Sequence, residues 1–307
     1  MTRGIVVAIP ARYEQIAAYN LLKLRRHLGC TLPIEIWEVG REISEAARQA
    51  LTMLDGISWR NVANETGDFQ AWQGFQIKAW ILRQCRFDEV LIVDADAVLY
   101  QNPEILFSDK GYSETGLYLF RDLASWKFNY DPTNPYKGDK FTHYGFLRGR
   151  REWLRRVLGN KKPANFPVEW DYIWDDALPS QPVHEALSES GVVVFNKRKQ
   201  ARALDRIFAL NRDHRETYQW IWGDKETFWI GALMADANFT LNPEWGYHYP
   251  NTEIMAQNYG GKLFYTQKGE VPRLELENPA IAARSFLCRL GRAVQRFYKS
   301  LTERDQT

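Results

Sequence analysis

With 307 residues, 45% of them apolar and 25% charged, the chain has the composition of a soluble globular protein large enough for one substantial α/β domain, and neither a disordered nor a fibrous one. A formal net charge of +2 supplies no whole-molecule field that would argue for nucleic acid, although basic residues gather towards the C-terminus. Three cysteines, Cys30, Cys85 and Cys288, match no metal or redox spacing and read as reduced thiols of a cytoplasmic protein.

The opening MTRGIVVAIP carries an apolar run far short of the roughly 20 residues that a spanning helix needs, so it reads as a first strand over 4–10. A helical period follows over 13–28 and stops at Gly29; a second strand is predicted over 33–39, a helix over 44–54 and a short strand over 57–62. Such alternation favours a mostly parallel sheet flanked by helices. Apolar residues recur at helical spacing over 72–85, and a strand is expected over 89–100, before Pro103. Further strands are predicted at 116–121 and 191–196, with helices at 199–210 and 225–235. The aromatic-rich stretch 122–188 shows one clear period, a helix near 151–158, and a loop of that length points to function. Over 283–301, Leu287, Leu290, Val294, Phe297 and Leu301 form an apolar stripe among arginines. This basic amphipathic helix either packs on the domain or docks peripherally on an anionic membrane surface or a partner.

The chemistry centres on VLIVDADAVLY, where Asp94 and Asp96 interrupt an almost wholly apolar run. Two carboxylates placed so closely need a positive partner, because an unpaired buried charge costs several kcal/mol. Side chains two apart on a strand share a face, so the pair is expected to converge at the carboxyl end of a parallel strand, where α/β proteins bind ligands. A divalent cation shared with a bound diphosphate, Mn2+ or Mg2+, is the partner such carboxylates suit. Two other readings stay open on these residues alone: a solvated acidic strand end, and a phosphohydrolase of the haloacid-dehalogenase type with Asp94 as nucleophile.

Four strings taken together, FQIKAWIL, EVLIVDADAVLYQNPEILF, ESGVVVFNK and GDKETFWIGAL, resemble glycosyltransferase family 71, the α-mannosyltransferases known from fungal mannan synthesis. More distantly they resemble other nucleotide-sugar transferases of the GT-A fold. The resemblance runs in order from residue 4 to about residue 265. It implies one Rossmann-like GT-A domain over 1–282, with a nucleotide-binding half to residue 121 and an acceptor-side half beyond it, followed by the terminal helix over 283–307. It also implies a nucleotide-sugar donor, GDP-mannose, manganese on the diphosphate, a glycan acceptor and retention of anomeric configuration. A UDP-glucose or UDP-galactose donor, and a non-catalytic glycan-binding version of the fold, are the alternatives.

Carried onto this sequence, the resemblance makes Asp96 a metal ligand and Asp94 a contact of ribose or metal. It places Lys78 on the diphosphate or donor sugar, and Ser190, Gly191 and Lys225 beside the donor. Glu189 and Asp224 are the carboxylates expected at the reacting sugar, Asp224 having helix capping as its plain alternative. Pro10, Ala11, Arg12 and Glu38 stand at strand ends where the nucleotide would lie. Relatives tend to place a histidine after a late Leu-Phe pair, but here Leu263 and Phe264 are followed by Tyr265, Thr266 and Gln267, which leaves His248 as the nearest late substitute. Trp126, Trp170 and Trp174, aromatic rings among polar side chains, are the expected acceptor platforms.

Overall fold

The computed structural model describes residues 1–40, 43–67, 72, 74–125, 127–128, 144–175, 183–250 and 252–267. The chain divides into two compact units, Met1–Gln267 and Lys268–Thr307. The second, with the predicted helix at 283–301, lies outside the described residues.

The apolar opening run forms β1 (Arg3–Pro10) and leads into α1 (Glu14–Arg26), which closes before the left-handed Gly29 at φ 65°. Next come β2 (Ile34–Val39) and α2 (Glu45–Thr52), whose N-cap Ser44 accepts from the Ala47 N–H, then β3 (Ile57–Asn61) and the short α3 (Val62–Glu65). α4 (Ile77–Gln84) precedes β4 (Glu89–Asp94) and the two-residue β5 (Val98–Leu99). α5 (Lys110–Thr115) ends on Gly116, left-handed at φ 79°, which turns the chain directly into β6 (Leu117–Arg121).

The aromatic-rich stretch contains β7 (Lys127–Phe128), α6 (Tyr144–Leu158) and β8 (Val183–His184). After it the chain runs through β9 (Ser188–Asn196), α7 (Ala201–Arg212), α8 (His214–Thr217) and α9 (Thr227–Met234). It closes with β10 (Thr240–Leu241), β11 (Tyr247–His248), β12 (Met255–Tyr259) and β13 (Lys262–Gln267). No described helix is long and apolar enough to cross a membrane.

The main sheet has seven strands in the order β10-β6-β9-β4-β1-β2-β3. β1 pairs in parallel with β2 and β4, β2 with β3, and β6 with β10, while β9 runs antiparallel between β4 and β6. The sheet is therefore mixed and mostly parallel, as the alternating pattern predicts. Its inner strands are buried on both faces, while the edge strands β3 and β10 are half-buried. Ile5, Val7, Ile9, Leu91 and Val93 enter a core with α1 and α2, while Val6, Val90 and Ile92 enter another with α4, α7 and α9.

One expectation is corrected at the central motif. The strand predicted over 89–100 stops at Asp94; the chain turns there, with the Ala97 N–H donating to the Asp94 carbonyl at 3.0 Å, and re-enters as β5 in a second, four-stranded sheet of order β11-β12-β13-β5. Asp96 thus lies in a turn between sheets, and strand alternation does not account for its position beside Asp94. Alternation does place Asp94 on the same face as Val90 and Ile92, the face that α4 covers.

α7 and α9 touch closely because Gly231 carries no side chain: a Cβ there would stand 2.9 Å from the Ile207 backbone nitrogen and 2.5 Å from its Cγ1. Gly231→Val is therefore expected to destabilise the fold by about 1–3 kcal/mol through overpacking. Urea unfolding checks this, and an unchanged midpoint would show that the two helices have room to part.

Candidate active site

The functional residues gather at the carboxyl edge of β1 and β4, where Ala8 of β1 is the register partner of Asp94. β4 and β9 pair as far as Val93 with Val192, so the next residues out, Asp94 and Gly191, flank the end of that ladder. On its other side β9 breaks register with β6: Val193 pairs with Leu119, but Glu189 pairs with Phe120. The residues between, Ser190 to Val192, form an irregularity of the kind that re-aims side chains beside sites.

Into this opening α4 sends Lys78, a buried lysine. Its Nζ donates to Ser190 Oγ at 2.7 Å, to the Ser190 carbonyl at 3.1 Å and to Asp94 Oδ2 at 3.0 Å. Asp224 Oδ2 lies 3.2 Å away, close enough for an ion pair but without the geometry of a hydrogen bond. Burial opposes the charge on Lys78, but Asp224, Asp94 and Glu189 outweigh it and raise its pKa, which favours the ammonium. Asp224 does not cap α9 with its carboxylate; its carbonyl accepts from Thr227, and the side chain is left to face Lys78.

A second lysine, part-buried, repeats the arrangement. Lys225 Nζ donates to Asp122 Oδ2 and lies 3.4 Å from Glu189 Oε2, while Glu189 Oε1 accepts from the Ser190 N–H at 3.0 Å. Glu226 accepts from the N–H groups of Leu187 and Ser188 at 2.8 and 3.1 Å and from the Trp229 indole, and so ties β9 to α9. Burial pushes its carboxyl up to about 7.

Besides Glu226, five carboxylates stand around these two lysines: Asp94, Asp96, Asp122, Glu189 and Asp224. Burial raises the Asp94 carboxyl to about 7 against the pull of Lys78, and it raises Asp96, Asp122 and Asp224 as well. Negative charge in excess of its counter-charge is what a bound cation would relieve. Asp94 and Asp96 offer hard oxygen donors suited to manganese or magnesium. Among the described residues no group of three or more His, Cys, Asp and Glu forms a metal site, so a cation here would take its remaining oxygens from its ligand or water.

His248, the late histidine expected as a metal ligand, lies apart from the residues that surround Asp94. It is exposed on β11, in register with Met255, which is in register with Gln267, so roughly 10 Å of sheet, two strand spacings, separates it from Gln267. Gln267 itself reaches the motif, with Nε2 donating to Asp94 Oδ2 at 3.1 Å and Oε1 buried without a hydrogen-bond partner. Gly191 makes room for it, since a Cβ there would stand 2.6 Å from Gln267 Oε1 and 3.1 Å from the Tyr265 ring.

Other predicted residues lie elsewhere. Glu38 is buried and paired with Arg48, which occupies its carboxylate within the fold. Pro10, Ala11 and Arg12 do stand just beyond Ala8 at the same sheet edge, Arg12 exposed and 4.9 Å over the Tyr13 ring. Trp170 is corrected from acceptor platform to core: it is wholly buried, edge-on to Trp229 and donating to the His184 carbonyl. Trp174 is half-buried against Phe166, and Trp126 lies outside the described residues. Asp122 was missed; its one signal is an acid directly after the apolar strand LYLFR.

Sequence comparison places this site among known proteins. The chain is 25% identical over 253 residues to alpha-1,3-mannosyltransferase MNT3 of Saccharomyces cerevisiae, covering 78% of this chain and 39% of that one. It is 25% identical over 311 residues to alpha-1,2-mannosyltransferase MNN24 of Candida albicans, covering 90% and 41%. The chain thus spans about two fifths of the length of these relatives. Among solved structures, core-mannan synthase A of Aspergillus fumigatus in its Mn/GDP form aligns over 86% of this chain and 80% of that one, with a TM-score of 0.48 and 11% identity. A family model described as "Mannosyltransferase putative" matches residues 2–253, and the chain belongs to that mannosyltransferase family.

Proposed function

We propose that the protein is a metal-dependent, retaining α-mannosyltransferase that moves mannose from GDP-mannose to a glycan acceptor. Membership of the family supports mannosyl transfer, and the observation that carries the site assignment is the buried Lys78 bridging Asp94 and Asp224 at the carboxyl edge of the sheet. On this reading Asp94 and Asp96 hold the cation, with the Gln267 amide beside them. When bound, Mn2+ or Mg2+ would supply positive charge to the leaving diphosphate.

The residues of the chain divide the remaining work. Lys78, charged and already fixed by Ser190, sets a preorganised positive charge beside the leaving group. Glu189 and Asp224, each held by a lysine, are the carboxylates available to an oxocarbenium-like centre. Gly191 and Ser190 shape the floor between them. The same-face geometry of retaining transfer needs no separate base to activate the acceptor from the opposite side.

Thermal denaturation with GDP, UDP, CDP and ADP, each with and without Mn2+, tests the donor, since a ligand that binds only the folded state raises the melting temperature. GDP with Mn2+ is expected to stabilise most, and Asp96→Ala to remove the manganese-dependent part. Stabilisation by UDP rather than GDP would overturn the mannose donor.

Lys78→Met is expected to cost about 3–5 kcal/mol of stability, because it strands the buried Asp224 and the part-buried Asp94 without their cation. Urea unfolding at neutral pH measures this. A loss below 1 kcal/mol would mean that Lys78 does not neutralise the cluster.

A further inference from the structure

Phe75 is the only aromatic among the exposed large apolar side chains of the described residues, with 66% of its surface open. Single exposed apolar residues need no explanation in themselves. The position of this one does. Its backbone carbonyl accepts from the Lys78 N–H at 3.3 Å, in the turn that starts α4. Its ring rests on Gly223, with ring atoms 3.2 and 3.3 Å from where a Cβ would stand, and Gly223 is held at φ 60° immediately before Asp224. The ring is therefore joined on both sides to the pair at the heart of the site, since Lys78 Nζ and Asp224 Oδ2 are 3.2 Å apart.

A side chain at Gly223 would push the ring away, so the bare backbone gives Phe75 a seat while leaving it open to solvent. Of the indoles expected to bind sugar, Trp170 is buried and Trp174 is packed against Phe166, while Trp126 lies outside the described residues.

We propose that Phe75 is a stacking platform for a pyranose ring at the mouth of the site. The apolar C–H face of a hexose matches an aromatic face, while the hydroxyls at its rim can reach the carboxylates and lysines beside it. A membrane or protein partner is less well matched, because the open apolar surface is one ring resting on the backbone beside Asp224. The inference rests on the mannosyl-transfer reading above, and it names the residue that grips a sugar of the substrates.

The test uses the full chain and its Phe75→Ala and Phe75→Trp variants, all with Mn2+. One arm measures affinity for α-1,2-mannobiose in the presence of GDP, as an acceptor probe. The other compares affinity for GDP-mannose with that for GDP. Phe75→Ala is expected to weaken mannobiose about tenfold, equivalent to about 1.4 kcal/mol, while Phe75→Trp retains it and GDP binding stays within twofold in both variants. A loss confined to GDP-mannose would assign the platform to the donor sugar, which also upholds the proposal. Unchanged affinity for both sugars in Phe75→Ala, or no binding of either sugar by the wild type, overturns it. The Mn2+-dependent GDP stabilisation is read on the same samples and judges the donor reading separately, so the failure of one is not mistaken for that of the other.

Discussion

A buried ammonium group between two carboxylates is the interaction on which the site depends. Lys78 sits beneath the broken edge of the sheet, and removing its charge would leave Asp94 and Asp224 facing each other in a low-dielectric setting. The fold arranges for this lysine to be there. α4 covers the face to which strand alternation directs Asp94, and the irregularity in β9 turns the Ser190 carbonyl and hydroxyl towards the ammonium. Three separate segments are thereby fixed around one nitrogen atom: the end of β4, the start of β9 and the loop before α9.

Lys225 extends the same logic. It binds Asp122 at the end of β6 to Glu189 in β9, and Glu226 next to it accepts backbone N–H groups of the adjoining residues. The result is a charged layer whose carboxylates outnumber its lysines, enclosed by apolar cores on both faces of the sheet. Such a layer is poorly satisfied alone and well suited to a divalent cation. The energetic tension and the proposed chemistry have one origin, in that the protein holds its acids close together and, on the proposed reading, leaves part of their counter-charge to a ligand.

Much of the fold was legible from local periodicity. The strands and helices from β1 to β3 follow alternation and helical spacing that are complete within short windows, and Ser44 marks its helix start as an N-cap. Lys78, Asp94, Ser190, Glu189, Asp224 and Lys225 were all nameable from the four strings and are all brought together. What escaped was long-range or irregular. The turn at Asp94 interrupts an apolar run that reads as one continuous strand, and Asp122 joins Lys225 across 103 residues. Trp170 looks like a sugar platform by composition, but its depth depends on α9, which lies far along the chain. His248 follows from residue type and a late place in the chain, whereas Gln267 is placed by the register of β13 beside Asp94.

The central claim is that this carboxylate layer transfers mannose, with retention, from a metal-bound guanosine diphosphate sugar. The most direct measurement is a 13C NMR spectrum of the product formed from GDP-mannose labelled at C1, with α-1,2-mannobiose and Mn2+. The account predicts a new α-anomeric signal that fails to appear when the metal is chelated. A β-anomeric product, or a signal of equal intensity without divalent metal, would contradict it.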